Sequence, residues 1–313
     1  MTATLDESVA EALFPKRSFL TKLRRKLRHT IHPRNILWHI RRWSSPNQPF
    51  IVSMDGDLRV RIYPTDVIGE CLYLDDVFEP IESRFVCGFL RPGMIVFDIG
   101  ANSGYYTLLA CKRVGPTGSV HSFELSSRMV AELRFNVQLN GFSNVHINPK
   151  AVGDKPGVAR LSRYAAGKEA YGSLGQSEWP GERIIGYDEV KVTTVDEYVR
   201  NARVEHVDLV KMDVEGGELL VLKGGTALFS RSDAPAVLFE FGPAMTAGFG
   251  YEADEILQLL RRFGYVINCI SARGGLVVLP ASIPAAELPA GNLVATKRHV
   301  DGPPVTRLEQ DRA

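Results

Sequence analysis

The sequence predicts an α/β fold: a doubly wound, mostly parallel sheet of seven strands, preceded by a basic helical extension and a small β-hairpin. Three observations carry this. From residue 94 to residue 297, short apolar runs alternate with longer amphipathic stretches, the rhythm of parallel strands joined by crossover helices on both faces. The first run, Met94-Ile95-Val96-Phe97, ends in an acid and a glycine turn, Asp98-Ile99-Gly100-Ala101-Asn102-Ser103-Gly104. The second, Val120-His121-Ser122-Phe123, closes on Glu124.

The elements follow in order. Residues 1–49 read as an extension that ends at the turn-rich Pro46-Asn47-Gln48-Pro49. It holds ten Lys/Arg against three Asp/Glu, a charge of +7, whereas the remaining residues carry −6. No acid occurs from Ala12 to Met54, and Leu20, Leu23, Leu27 and Ile31 recur at helical spacing. The segment has no apolar core of a signal peptide and nothing of membrane-spanning length. Two readings stay open for residues 16–43: a helix packed on the body with a solvated basic face, which is preferred, or an interfacial helix held by anionic lipid, with Trp38 and Trp43 near the headgroups. No nucleic-acid partner is expected, because no reader motif accompanies the charge.

Residues 50–93 supply a hairpin, Phe50 to Tyr63 around Asp55-Gly56, and a helix from about Pro80 to Leu90 that leads into the turn Pro92-Gly93. Residues 94–300 form the sheet domain and 301–313 a tail. Strands are expected at 94–99, 120–124, 145–148, 207–212, 236–241, 265–270 and 292–297. Helices are expected near 104–113, 126–140, 194–203, 216–230 and 252–263. Asn140-Gly141 stops the second helix and Thr194-x-x-Glu197 is a capping box for the third.

Residues 163–190 break the rhythm, interleaving Gly167, Gly172, Gly175, Gly181 and Gly186 with Tyr164, Tyr171, Trp179 and Tyr187. Flexible backbone bearing aromatics suits a lid over sugar rings or apolar acceptors, with Tyr171 and Trp179 in the substrate pocket; the alternative is a surface insertion without a role. Composition, 45% hydrophobic and 23% charged, is that of a globular protein. Cys71, Cys87, Cys111 and Cys269 match no zinc or redox spacing, so reduced thiols and a cytoplasmic setting, at most peripheral to the inner membrane surface, are expected.

Ligands of such sheets bind beyond the strand carboxyl ends, where an acid closing the second strand holds a ribose. Glu124 stands there. The loop lacks the second glycine of a dinucleotide fingerprint, having Asn102 instead, and Asp98 at a strand tip would repel a pyrophosphate while suiting an amino group and a sulfonium. S-adenosylmethionine is such a ligand.

Asp98-x-Gly100-x-Asn102-x-Gly104-Tyr105-Tyr106-Thr107, Phe123-Glu124, Lys150-Ala151-Val152-Gly153 and Lys211-Met212-Asp213-Val214-Glu215-Gly216-Gly217-Glu218 together resemble the signatures of FkbM-type methyltransferases. The likeness runs from about Glu79 to Thr296, departing at Leu125, where a proline is common, and at Gly217, where an aromatic is common. It implies a Rossmann-like methyltransferase fold and methyl transfer from S-adenosylmethionine to a hydroxyl of a saccharide, glycolipid or polyketide-type product. Asp98, Gly100, Asn102 and Gly104 would then shape the methionine end, Glu124 the ribose, and Ala151 with Val152 the adenine edge, with Tyr106 and Leu125 as further cofactor-binding residues.

Moving a methyl to an alcohol asks for alignment and for a base near the hydroxyl. Asp213, which ends the run 207–212, is the first candidate; Glu215 two residues on and Glu240 at the end of Ala236-Val237-Leu238-Phe239 are the others. Glu79 is expected to line the acceptor pocket. Lys211 is read as an opposite-face or packing residue, though one that could balance the acids. Glu218 is read as a helix-start acid favoured by the macrodipole. Asp213, Glu215 and Glu240 would also offer oxygen ligands to Mg²⁺, a reading not favoured because their spacing is not that of a fixed ligand set. Two rival functions are a nicotinamide-dependent oxidoreductase on a similar sheet and a non-catalytic membrane-associated scaffold.

Overall fold

A computed structural model describes residues 33–163 and 184–297. Helix α1 (Pro33–Ser44) precedes a hairpin of β1 (Phe50–Met54) and β2 (Leu58–Ile62), paired antiparallel from Phe50↔Ile62 to Met54↔Leu58. Alternation in Leu58-Arg59-Val60-Arg61-Ile62 buries the three apolar side chains on one face. The hairpin turn holds Asp55 and Gly56 at φ 43° and 80°, a left-handed conformation these two residue types tolerate. A short helix that the sequence pattern did not announce, α2 (Val67–Asp75), comes before the expected α3 (Pro80–Phe89).

The chain then alternates through β3 (Ile95–Ile99), α4 (Tyr105–Val114), β4 (Ser119–Phe123), α5 (Ser127–Leu139) and β5 (Val145–Asn148). Next come β6 (Ala151–Val152), β7 (Gly157–Arg163), β8 (Gly186–Thr193) and α6 (Val195–Ala202). The second half runs β9 (Leu209–Met212), α7 (Glu218–Gly224), α8 (Thr226–Phe229), β10 (Ala236–Phe241), α9 (Pro243–Thr246) and α10 (Asp254–Arg262). It closes with β11 (Val266–Ile270), β12 (Leu276–Val278) and β13 (Gly291–Thr296).

The main sheet has the order β12-β11-β13-β10-β9-β3-β4-β5. Strands β5, β4, β3, β9 and β10 are parallel, and β13 lies antiparallel between β10 and β11. All seven expected strands are present. The sheet has an eighth, β12, an antiparallel edge addition of three residues that is too short to show a pattern. A second sheet, β6-β8-β7, was also not foreseen: Arg163 and Gly186–Val190, expected as loop, are strand and pair at Arg163↔Gly186. The helix expected at 216–230 is two helices, broken at Gly225, whose backbone leaves the helical region at φ −115°; a Cβ on Gly224 would strike the Gly153 carbonyl and one on Gly225 the Phe229 ring.

Pleating divides the core. Phe97, Ile99, Val210, Met212, Val237 and Phe239 face α7 and α10, packing with Leu222, Ile256 and Leu260. Val96, Val120, Leu209 and Leu238 face the other way, into one cluster with Phe85, Leu108 and the hairpin residues Met54, Val60 and Ile62. Ser126 caps α5 through Met129 N, and Thr194 caps α6 through Glu197 N at 3.1 Å, as the capping box required. The winding reverses between β3 and β9, so the crevice opens at their carboxyl ends.

Candidate active site

The β3–α4 turn is held by β4. Gly100 N and Ala101 N both donate to the Phe123 carbonyl, at 3.0 and 2.9 Å. Gly100 has φ 82°, and a Cβ there would collide with the Asp213 carbonyl oxygen, so glycine is what lets the turn rest against the β9 tip. Asn102, at φ 51°, donates its amide to Glu124 Oε2 at 2.8 Å and accepts from Ser103 N through Oδ1 at 2.7 Å. Glu124 Oε1 accepts from Ser126 N at 2.7 Å. Burial pushes the Glu124 carboxyl up, and the amides of Ser126 and Asn102 pull it back down. Its orientation is thereby fixed before any ligand arrives.

Asp98 lies one pleat below this turn and lines neither of the hollows described next. Its Oδ2 accepts from Thr107 Oγ1 at 2.6 Å, Thr107 Oγ1 stands 2.8 Å from Ser122 Oγ, and the buried Oδ1 has no hydrogen-bond partner among the described residues.

Two hollows meet above the sheet. The first, of ≈ 800 Å³, is lined by Gly100, Asn102, Glu124, Leu125, Ala151 and Val152, with Asp213 and Glu215 at its end. Leu125 packs on Ala151 and Val190, which makes an apolar shelf beside the acid. Met129, Leu220 and Phe249 also line it and were not expected. Met129 follows from its place three residues after the Ser126 cap. Phe249 lies in a glycine-punctuated run, Gly242, Gly248 and Gly250, which is the signal that could have found it.

The second hollow, of ≈ 1080 Å³, shares Gly100, Asn102, Met129, Asp213 and Glu215 with the first. Its other walls are Ile62 of the hairpin, Asp66 before α2, Val67, Ile68 and Gly69 of α2, Phe78, Ala101 and Ser103 of the β3–α4 turn, and Tyr105, Tyr106 and Lys211. Sequence reasoning placed only Tyr106 of these in the site. Gly104 does not line either hollow; at φ 100° it abuts Leu133 of α5 and starts α4.

A row of polar side chains shares the α3–α4 face of the sheet. Register puts Ser122 beside Asp98, Asp98 beside Lys211, and Glu240 beside Asn292. Lys211 is therefore on the same face as Asp213, two residues along, and not on the opposite one. Its Nζ is 3.1 Å from Asp213 Oδ2 and 5.0 Å from the centre of the Tyr106 ring. Burial works against its charge, but Asp213, Asp98 and Glu79 outweigh burial and hold the ammonium firmly protonated.

The neighbouring acids are also pushed up, which for a carboxyl favours the neutral form. Burial, then Asp213 and Glu218, raise Glu215 to about 8. Burial, then Asp213 and Glu215, raise Glu240, which hydrogen-bonds Asp213. Glu240 lies at the β10 end but does not line either hollow. Glu79, at φ 45° before α3, accepts from Tyr106 OH at 2.6 Å and from Asn292 Nδ2 at 3.1 Å. It stands behind Tyr106 instead of on the wall. Glu218 accepts from Val214 N at 3.1 Å, a helix-start role matching its expectation. Glu79, Asn102 and Glu215 are non-glycine residues in left-handed backbone, and their clustering here fits the storage of strain at functional sites.

Tyr171 and Trp179 lie outside the described residues. Among the described residues, no group of three or more His, Cys, Asp and Glu is arranged to hold a metal ion.

Residues 98–267 match the model of the methyltransferase FkbM domain. The chain is 31% identical over 163 residues to the 31-O-demethyl-FK506 methyltransferase FkbM of Streptomyces tacrolimicus, covering 43% of this chain and 60% of that protein. It is 33% identical over 67 residues to an arsenite methyltransferase of Halobacterium salinarum, 21% of this chain and 17% of that one. Among solved structures, methyltransferase FkbM from Methylobacillus flagellatus is similar over 72% of this chain and 50% of that one, with 17% identity and a TM-score of 0.42. A SAM-dependent O-methyltransferase from Thermotoga maritima is similar over 79% and 77%, with 16% identity and a TM-score of 0.39. The family match begins at Asp98, takes in every residue that lines the first hollow, and covers more than half of the chain, which therefore belongs to the FkbM methyltransferase family.

Proposed function

We propose that this protein is an S-adenosylmethionine-dependent O-methyltransferase acting on a hydroxyl of a saccharide, glycolipid or polyketide-type natural product. The observation that carries the reading is the meeting of two hollows at Asp213. One presents a pre-oriented acid and an apolar shelf; the other is largely apolar and holds a buried cation at its floor. The relative named for a 31-O-demethyl compound supports oxygen as the acceptor atom. Membership of a methyltransferase family leaves the oxidoreductase alternative without support.

The donor set of the first hollow fits S-adenosylmethionine. Glu124 uses one lone pair of each oxygen on a backbone amide and has others left for a ribose diol. Leu125, Ala151 and Val152 suit the adenine face, and the turn at Gly100–Asn102 lets the methionine end approach the backbone. When bound, the donor supplies an electrophilic methyl on a sulfonium.

The residues do the rest. The apolar walls Ile62, Val67, Ile68 and Phe78 exclude water and seat the acceptor. Asp213, with Lys211 at 3.1 Å, is the carboxylate able to accept the hydroxyl proton as the new bond forms. Burial and the neighbouring carboxylates push Glu215 and Glu240 toward their protonated forms, and Glu240 orients Asp213 by hydrogen bonding to it.

The test is incubation with methyl-labelled donor and host small-molecule and lipid extracts, followed by mass analysis for a methylene-sized gain. S-adenosylhomocysteine should raise the melting temperature. A protein stabilised by a nicotinamide cofactor and not by S-adenosylhomocysteine would overturn the assignment.

A further inference from the structure

Helix α1 has two faces with opposite fates. Trp38 is fully buried, stacked on Tyr73 with ring centroids 5.4 Å apart and edge-on to Phe50 at 6.3 Å. Arg34 pairs with Asp76 at 3.0 Å and Arg42 with Glu70 at 3.5 Å, pinning the helix to α2. Away from this seam, Ile36, Ile40 and Trp43 recur at four and three residues, a single stripe, with Leu37 beside it. Trp43 is 88% exposed, and Ile36, Leu37 and Ile40 are about half exposed. A helix that only packed on the body would carry polar residues there.

We propose that this outer face of α1 docks the protein onto an anionic lipid bilayer. The apolar stripe supplies the inserted side chains, and Trp43 has the amphipathic ring suited to the headgroup level. Charge complementarity selects the occupant. The stripe lies in the acid-free stretch from Ala12 to Met54, which carries ten cationic residues, while residues 51–313 carry a net −6. An anionic surface attracts this end of the chain and repels the rest, so the charge asymmetry sets the orientation as well as the affinity.

Among the described residues no helix is long and apolar enough to cross a membrane. The attachment proposed, a short amphipathic helix lying on a charged surface, is peripheral and salt-sensitive. Helix α1 packs on α2, whose Val67, Ile68 and Gly69 wall the second hollow, so docking brings the enzyme to the place where an amphiphilic acceptor resides. That last clause rests on the O-methyltransferase reading; the docking does not.

The experiment is co-sedimentation of the full chain with phosphatidylcholine vesicles with and without phosphatidylglycerol. Binding is expected only with the anionic lipid, falling steeply as salt rises from about 0.1 to about 0.5 M. Ile40→Glu and Trp43→Ala should each weaken it by about tenfold or more. Lipids brominated along the acyl chain should quench wild-type tryptophan fluorescence and leave Trp43→Phe unquenched.

Unchanged vesicle binding by these variants would overturn the proposal. So would heparin or tRNA binding in place of vesicles, insensitive to both substitutions, which would make the charge a polyanion site. Self-association that Ile40→Glu abolishes, with no lipid binding, would assign the stripe to a second copy. Stabilisation by S-adenosylhomocysteine should persist in both variants, so a failure of docking is read separately from a failure of the donor assignment.

Discussion

Lys211 and Asp213, two residues apart on one face of β9, bring Nζ and Oδ2 to 3.1 Å at the point where the two hollows meet. The pair is not an isolated ion pair. Asp98 lies beside Lys211 in the sheet register and Glu240 hydrogen-bonds Asp213, so one buried cation serves several acids. Removing the cation and removing the carboxylate therefore have different consequences. Lys211→Met leaves buried acids uncompensated and should cost about 3–5 kcal/mol of stability, read by urea unfolding. Asp213→Asn should fold and bind S-adenosylhomocysteine much as wild type while methyl transfer slows by about 10²–10⁴-fold. Wild-type turnover in Asp213→Asn would move the proton-accepting role elsewhere.

Glu215 sets a pH dependence whose sign is determined. Its carboxyl titrates at about 8 in the folded chain, because of burial and then Asp213 and Glu218, and at about 4.3 when unfolded. Between those values the folded state binds more protons. Its contribution is thus fully present below the unfolded value and is lost as pH rises through about 8. Glu218, raised to about 7 by burial, adds the same trend over a lower window. Glu215→Gln should be less pH-sensitive than wild type by up to about 1 kcal/mol per pH unit. The difference holds from about pH 5 to about pH 7 and fades as pH passes about 8; Glu218 is present in both proteins, so its own trend cancels in the comparison. Parallel melting curves against pH for the two proteins would refute the burial of this proton.

How far the sequence reached follows from what periodicity can encode. Seven strands, the Gly100–Gly104 turn, Glu124 and the cap at Thr194 were legible because each is a local pattern. The second hollow was not. Ile62, Val67 and Phe78 meet Lys211 only through tertiary packing across more than a hundred residues, and no spacing announces that. The face of Lys211 is legible in principle, since residues two apart on a strand share a face, although the sequence reading gives it an opposite-face or packing role, with balancing the acids as the alternative. Glu240, expected to converge on the acceptor, hydrogen-bonds Asp213 without lining either hollow, and Glu79, expected to line the acceptor pocket, stands behind Tyr106.

Glu124 offers a test of the donor pocket alone. Its two oxygens bind the amides of Asn102 and Ser126, so Glu124→Ala removes a ligand acceptor and loosens the turn together. S-adenosylhomocysteine affinity should fall by about 1–3 kcal/mol, measured by calorimetry. Equal affinities for wild type and Glu124→Ala would reject the ribose assignment.

Gly100→Ala separates packing at the meeting point from backbone preference. Two costs act at this position: φ is 82°, and the new Cβ would strike the Asp213 carbonyl oxygen. At Gly115, φ is 63° and nothing lies within 4 Å of an added Cβ, so Gly115→Ala carries the backbone cost without the collision. Gly115, at φ 63° and ψ −171°, lies in a region nearly reserved for glycine, so Gly115→Ala should lose about 1–3 kcal/mol of stability and keep full turnover. Gly100→Ala should lose more stability and, because relief of the clash must move the β9 tip, should depress both S-adenosylhomocysteine binding and methyl transfer. The informative quantity is the ratio of activity loss to stability loss in the two variants. If Gly100→Ala and Gly115→Ala fall on one line of activity against melting temperature, the close approach of the β3 turn to Asp213 has no part in building the site.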